Sequence, residues 1–225
     1  MKKFKRVVSA ALASCMAMTS AGAANIQTTT QAADMSNSVT INIDNEPVVL
    51  NYHITNGVVD SVTINDDVIM RKGNDVFCNG EKIATITTEI ESFSSAVEPY
   101  TSWVYGNSSC PSGYSSSDYN NFYGSKWHNI TFDKAIAECT MSIILGSLIL
   151  MVDFESPTIG QQVLLKIAEK ILDTFAMYDG KNCVWAYESI FTGGMPYTRK
   201  NIFSFYGDKN RNNYTGIATC YSFWA

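Results

Sequence analysis

Between residues 39 and 97, apolar and polar positions alternate with the two-residue period of half-buried strands. Val39, Ile41 and Ile43 are interleaved with Thr40 and Asn42, and comparable runs follow at 48–54, 58–64, 68–70, 76–78 and 83–90. Asn56-Gly57 and Asn79-Gly80 punctuate these runs. Both residue types tolerate positive φ, so each pair reads as a tight hairpin turn. The segment predicts an antiparallel β-meander.

The pattern breaks between Ser92 and Gly124, where serines, glycines and asparagines are interleaved with Tyr100, Trp103, Tyr105, Tyr114, Tyr119 and Tyr123. Polar and glycine residues disfavour regular structure there, and the aromatics suit a packed or ligand-holding loop. A different period starts at Asp133. From Cys139 to Val152 there are 14 consecutive uncharged residues, apolar all round a helix instead of along one stripe. All-round apolarity marks a helix that is buried or faces lipid. The run falls short of the ~20 residues that cross a bilayer. Ser156-Pro157 then reads as an N-cap and first turn. Ile159, Val163, Leu164, Ile167, Ala168, Ile171, Leu172 and Phe175 form an amphipathic face, with Gln161, Gln162, Lys166, Glu169, Lys170 and Asp173 opposite and Gly180 as the stop. These two segments predict a helical hairpin over 133–178. Strand-like patterns return at 183–191, 201–206 and 214–224, dense in aromatic residues.

The predicted fold class is therefore α+β: an N-terminal antiparallel β-meander, then a hydrophobic helical hairpin packed with an aromatic-rich C-terminal antiparallel β-sheet. Four stretches organise the chain: a signal peptide at 1–23, a disordered spacer at 24–38, an acidic β-rich leader or small β-domain at 39–97, and an α+β domain at 98–225.

Charge sharpens this division. The formal net charge of −5 splits into +4 over 1–33, −7 over 34–97 and −2 over 98–225. A net negative chain argues against nucleic-acid binding through bulk electrostatics. Lys2, Lys3, Lys5 and Arg6, the apolar run Val7 to Met18 and the small residues Ala21-Gly22-Ala23 have the order of a secretory signal. Leu12-Ala13-Ser14-Cys15 also matches the box before a lipid-modified cysteine, so lipid anchoring at Cys15 stands as the alternative to a secreted, extracellular location.

Five cysteines lie beyond the signal: Cys78, Cys110, Cys139, Cys183 and Cys220. An odd count in an exported protein calls for a free thiol or an intermolecular bond. Removal of the acidic leader would take Cys78 with it and leave Cys110, Cys139, Cys183 and Cys220 as disulfide candidates with three connectivities. The alternative is a buried, unpaired Cys78.

No nucleophile elbow, phosphate loop, zinc spacing or CxxC occurs, so no catalytic residue, metal or cofactor is expected. The chain has two histidines, and His128, between Trp127 and Asn129, reads as a satisfied surface or packed side chain.

The export signal, acidic β-rich leader, hydrophobic hairpin and aromatic C-terminal sheet, with Phe205-Tyr206-Gly207-Asp208 running to Thr215-Gly216, resemble the large, unmodified secreted bacteriocin-like proteins of Gram-positive bacteria, the geobacillin kind. The resemblance covers most of the chain and is one of organisation, so it carries over no functional residue. It implies an antibacterial protein whose partners are the target cell membrane or envelope, with a processing protease and an immunity protein beside it. The expected function is accordingly a secreted, non-enzymatic antimicrobial protein. Ile143, Ile144, Leu145, Leu148, Ile149 and Leu150 would contact lipid, and Trp185 and Trp224 would sit at the interface. The alternative is a secreted or lipid-anchored binding module whose aromatic loop, Tyr100 to Trp127, holds a cell-wall or host ligand.

Overall fold

The fold is seen here in a computed structural model that describes residues 35–43, 45–55, 58–93, 103–152, 158–175 and 180–224, and among these residues are eleven strands and two α-helices. The signal, Cys15 and the Asn56-Gly57 turn lie outside the described residues. The strands are β1 (Met35–Ile43), β2 (Glu46–Thr55), β3 (Val58–Ile64), β4 (Asp67–Lys72), β5 (Asp75–Cys78) and β6 (Glu81–Phe93), then β7 (Trp103–Asn107), β8 (Asn121–Phe132), β9 (Cys183–Thr192), β10 (Thr198–Tyr206) and β11 (Tyr214–Trp224). Helices α1 (Met141–Val152) and α2 (Thr158–Phe175) stand between β8 and β9.

All eleven strands belong to one antiparallel sheet in the order β1-β2-β3-β4-β5-β6-β8-β9-β10-β11-β7. This overturns the expected α+β arrangement of a leading meander, a hairpin and a separate C-terminal sheet. The ladder does not stop after β6: it continues into β8 from Ala84↔Phe132 to Phe93↔Gly124. Alternation says which side a residue faces on its own strand, but it carries no information about which strand lies alongside. Strand β1 also begins at Met35, inside the stretch expected to be disordered, because Met35 to Ser38 pair with Ile54 to Asn51. The turn after β5 does have the positive φ at both Asn79 (51°) and Gly80 (87°) that its residue types permit.

Helix α2 touches β1 near one edge of the sheet and β11 near the other, while α1 touches β3, β4, β8 and α2. The sheet thus curls, and both helices occupy its concave face. One continuous core results, with Val39, Leu50, Val62 and Ile69 from the N-terminal strands and Leu145, Leu148, Ile171, Phe203 and Ala218 from later elements. Being enclosed on several sides accounts for the apolar character of α1 around its whole circumference. It also explains Gln161, which the amphipathic pattern puts outside: α2 is contacted by both ends of the sheet, and Gln161 is buried. Arg71 of β4 closes the end of α1 by donating from Nη1 to the Leu150 carbonyl oxygen at 3.0 Å, which satisfies one of the carbonyls that every helix end leaves open.

Close approach between helix and sheet depends on missing side chains. A Cβ at Gly146 of α1 would lie 2.9 Å from Ile69 Cγ1, and one at Gly216 of β11 would lie 2.5 Å from Ile167 Cγ1 of α2. Gly216→Ala is therefore expected to cost about 1–3 kcal/mol through overpacking. In an Ile167→Ala background, where the opposing Cγ1 is gone, the same change should cost less than half as much. Urea denaturation of the four proteins measures this, and additive effects would show that the Gly216 contact does not set the helix–sheet distance.

Candidate functional site

Three features of the sequence and structure compete as sites: the apolar helix, the outer aromatic face and a polar row inside the sheet. The residues expected to meet lipid are core residues here. Ile144, Leu145, Leu148, Ile149 and Leu150 are each 0% exposed, and Ile143 is half-buried. Among the described residues no helix is long and apolar enough to cross a membrane. Trp185 is half-buried on the outer face of β9, edge-on to Trp127 at 6.2 Å. Trp224 closes β11 opposite Trp103, and its side chain lies outside the described residues.

On that outer face Trp127 also meets Tyr187 at 4.9 Å and Tyr206 at 6.1 Å, and Tyr206 meets Tyr214 at 5.6 Å. The loop between β10 and β11 folds over this group. Arg211 places its guanidinium 4.2 Å from the Tyr187 ring and 5.2 Å from Trp127, and Lys209 its ammonium 5.3 Å from Trp185. Both cations continue to carboxylates of β6, Lys209 to Glu89 and Arg211 to Glu91. Of the aromatic segment 92–124, Tyr119 is buried with its hydroxyl 2.7 Å from Thr198 Oγ1, whereas Tyr114 is exposed.

Among the described residues no disulfide is formed by Cys78, Cys110, Cys139, Cys183 or Cys220, and Cys78 and Cys220 are buried. Cys220 points into the core opposite Asn201, whereas Cys110 bonds with the hydroxyl of Tyr221, the next residue along the strand and on the other face. The sheet therefore stands between them. Burial, reinforced by Glu138 against the opposing Lys134, pushes the Cys139 thiol up to about 11. At pH 8 its reaction with iodoacetamide should then be roughly 10- to 200-fold slower than that of an ordinary thiol of pKa ~8.5. Peptide mass spectrometry of a labelling time course checks this, and modification at the ordinary rate would contradict it.

The third feature joins residues from three segments far apart in the sequence. Thr88 of β6 stands directly opposite His128 of β8, and His128 opposite Ala186 of β9, two residues from Glu188 on the same face. Thr88 Oγ1 lies 3.0 Å from His128 Nδ1, and His128 Nε2 lies 2.7 Å from Glu188 Oε2. Thr88 is exposed, His128 is 8% exposed and Glu188 is 0% exposed. An ionised Glu188 can only accept, which puts the ring proton on Nε2 and leaves Nδ1 to accept from the Thr88 hydroxyl. The Phe203 ring, 5.6 Å from the imidazole and tilted by 45°, packs against it. These residues share the concave face with Ile86, Ile130 and Ala186, beyond the apolar rows. Further along this face Asn201 Nδ2 donates to Ser222 Oγ at 2.8 Å, and the buried Arg199 lies 4.2 Å from the Tyr123 ring. His128 is thus the packed, satisfied residue that its neighbours imply, but its partners lie 40 and 60 positions away. The only sequence signal was the pair of polar residues, Thr88 and Glu188, at inward positions of otherwise apolar alternations.

The other histidine is also paired, on the surface. His53 Nδ1 lies 2.8 Å from Asp60 Oδ1, and Thr55 donates to Oδ2 of the same carboxylate at 2.7 Å. Partial burial pushes the Asp60 carboxyl up, but hydrogen bonds from Thr55, His53 and Ser61 outweigh it and hold the group below its ordinary range. Among the described residues no cluster of His, Cys, Asp and Glu has the geometry of a metal site.

Compared with known proteins, the chain matches no family model, no curated protein and no solved structure.

Proposed function

We propose that the protein is exported and acts on the envelope of target bacteria as an antibacterial protein that carries its apolar helix in covered form. The observation behind this is α1 itself. It is uncharged throughout, all but two of its residues are buried, and it is closed in by β3, β4, β8 and α2. A helix apolar on every side is stable in water only while covered. Contact of Ile144, Leu145 or Leu148 with lipid therefore requires the sheet to part from the helix. Strands β3 and β4, from the acidic piece of the chain, are the part of the cover that would move. At ~18 Å, α1 is too short to span a bilayer, so it would enter one leaflet at the interface, alongside the amphipathic α2.

A reversible lock tests the opening. A Cβ built at Gly146 lies 3.1 Å from Ile69 Cβ, close to the ~3.5–4.5 Å of a disulfide, so Gly146→Cys with Ile69→Cys ties the helix to its cover. The oxidised variant is expected to leave dye inside phosphatidylglycerol vesicles, and the reduced variant to release it. Equal leakage from both forms would show that α1 stays in place, and no leakage by the wild-type chain at concentrations that inhibit neighbouring bacteria would end the proposal. Gly146→Asp is less informative, because it forces a charge against Ile69 and breaks the fold.

A binding module for a cell-wall or host ligand is favoured by a separate observation, the outer group of Trp127, Trp185, Tyr187, Tyr206 and Tyr214. If binding is the activity, Trp185→Ala should abolish co-sedimentation with insoluble cell wall while leaving circular dichroism and vesicle leakage unchanged.

A further inference from the structure

We infer that Thr88, His128 and Glu188 form a hydrolytic site in which the Thr88 hydroxyl is the nucleophile toward small carboxylic esters. The inference goes beyond the antibacterial proposal and does not depend on it. Its ground is the order of exposure along one chain of hydrogen bonds: an exposed threonine, a nearly covered histidine and a fully buried glutamate, at 3.0 and 2.7 Å. A polar network serving stability alone has no need to end on an exposed hydroxyl-bearing residue. A nucleophile does, because the reacting atom must be reached from outside while the groups that activate it stay oriented.

Each member is held by regular structure instead of a loop. Three adjacent strands of one ladder carry the three residues, and such elements position side chains more narrowly than loops do. Glu188, cut off from water, fixes the imidazole with its proton on Nε2, and the Phe203 ring packs the imidazole from the side. Nδ1 is thereby left as a base toward Thr88. This is the arrangement of a hydroxyl–imidazole–carboxylate triad with the two ring nitrogens exchanged, and triads are recognised by roles and geometry, not by chain order.

The surroundings indicate the substrate class. Ile90 is two residues from Thr88 on the same face and 70% exposed, an apolar surface beside the nucleophile suited to a short acyl chain. Opposite Ile90 stands Lys126, two residues from His128. Its ammonium lies 5.4 Å from the Phe93 ring.

The reaction balances with ester and water alone. Thr88 Oγ bonds to the ester carbonyl carbon as its proton passes to His128 Nδ1. The carbon–oxygen bond to the alcohol then breaks, and the alcohol leaves with that proton. Water attacks the acyl-Thr88 ester, giving its proton to Nδ1. The acid departs, and Thr88 Oγ takes the proton back. Thr88 and His128 are the catalytic residues, and Glu188 is a positioning residue.

The test treats the full-length protein with a fluorophosphonate probe and with p-nitrophenyl butyrate. The probe should form an adduct on the peptide containing Thr88, and hydrolysis should show a burst equal to one acyl group per chain. Thr88→Ser should keep both. Thr88→Val, which preserves shape and strand preference at an exposed position, should remove both without changing the circular dichroism spectrum. Glu188→Gln should lower kcat by roughly 100-fold or more with KM nearly unchanged, since the imidazole loses the carboxylate that orients it. A role confined to stability would leave kcat of the folded protein unchanged. No adduct on Thr88 in the folded wild-type protein, or hydrolysis by Thr88→Val at the wild-type rate, would overturn the assignment. Neither result bears on vesicle leakage, so this site and the antibacterial proposal stand or fall separately.

Discussion

A chain shortened to residues 98–225 is expected to lose cooperative folding altogether. The acidic N-terminal piece supplies β1 to β6, six of the eleven strands in one continuous sheet. Its removal would expose the β6-facing edge of β8, a row of unpaired N–H and C=O groups open to aggregation. It would also uncover the side of α1 that packs on β3 and β4, including Gly146, which lies against Ile69. The carbonyl of Leu150 would lose the Arg71 guanidinium that closes the helix end. Each fully buried apolar side chain returned to water costs about 1.5–3 kcal/mol, against a net stability of only about 5–15 kcal/mol for a whole domain. The shortened chain should give no sigmoidal urea transition and should bind a hydrophobic dye strongly. A cooperative transition in the fragment would show that the N-terminal strands are a separable leader after all. If a processing protease does remove them, the product should behave as an opened, lipid-seeking form and not as a second globular protein. Mass analysis of the secreted species therefore reports on mechanism as well as on maturation.

His128→Ala is expected to destabilise the protein by about 3–5 kcal/mol, because it leaves a fully buried carboxylate without its imidazole. For a chain of this length that corresponds to a fall in Tm of roughly 6–20 °C. Thr88→Val, at the exposed end of the same chain of hydrogen bonds, should cost no more than about 1.5 kcal/mol. Replacing both His128 and Glu188 by leucine should restore part of the loss, since it removes the buried carboxylate itself and leaves apolar groups of similar volume in place of the pair. Thermal denaturation of the three variants decides the matter. A loss for His128→Ala below 1 kcal/mol would mean that Glu188 is held by other partners and that the imidazole is incidental to it.

Parts of this architecture were legible in the sequence. Alternation located the N-terminal strands, and the Asn79-Gly80 turn has the backbone its residue types permit. The uncharged run from Cys139 announced a helix with no water-facing side. What covers that helix was not legible, because two of the strands that touch it, β3 and β4, lie some 70 to 90 residues earlier in the chain. The same distance concealed the polar row. Thr88, His128 and Glu188 each look ordinary in their own segments and become a unit only when β6, β8 and β9 align. Gln161 was assigned to the wrong side because a single amphipathic stripe supposes one packing partner, and α2 has two. The four cysteines beyond the acidic piece allow three connectivities in sequence, and the sheet bears on one of them: Cys220 and Tyr221, neighbours on β11, face opposite sides, with Cys110 on the side of Tyr221.

By itself, then, the sequence determined the local periods, the turn chemistry, the division of charge and the presence of a helix that must be hidden from water. These are short-range properties, set by which side of its own backbone each residue occupies. The tertiary structure alone decided that the two halves share one sheet, that the apolar helix lies inside it, and that a threonine, a histidine and a glutamate meet on its concave face. Strand partnership is chosen by burial summed over the whole core, and no window of neighbouring residues contains that sum.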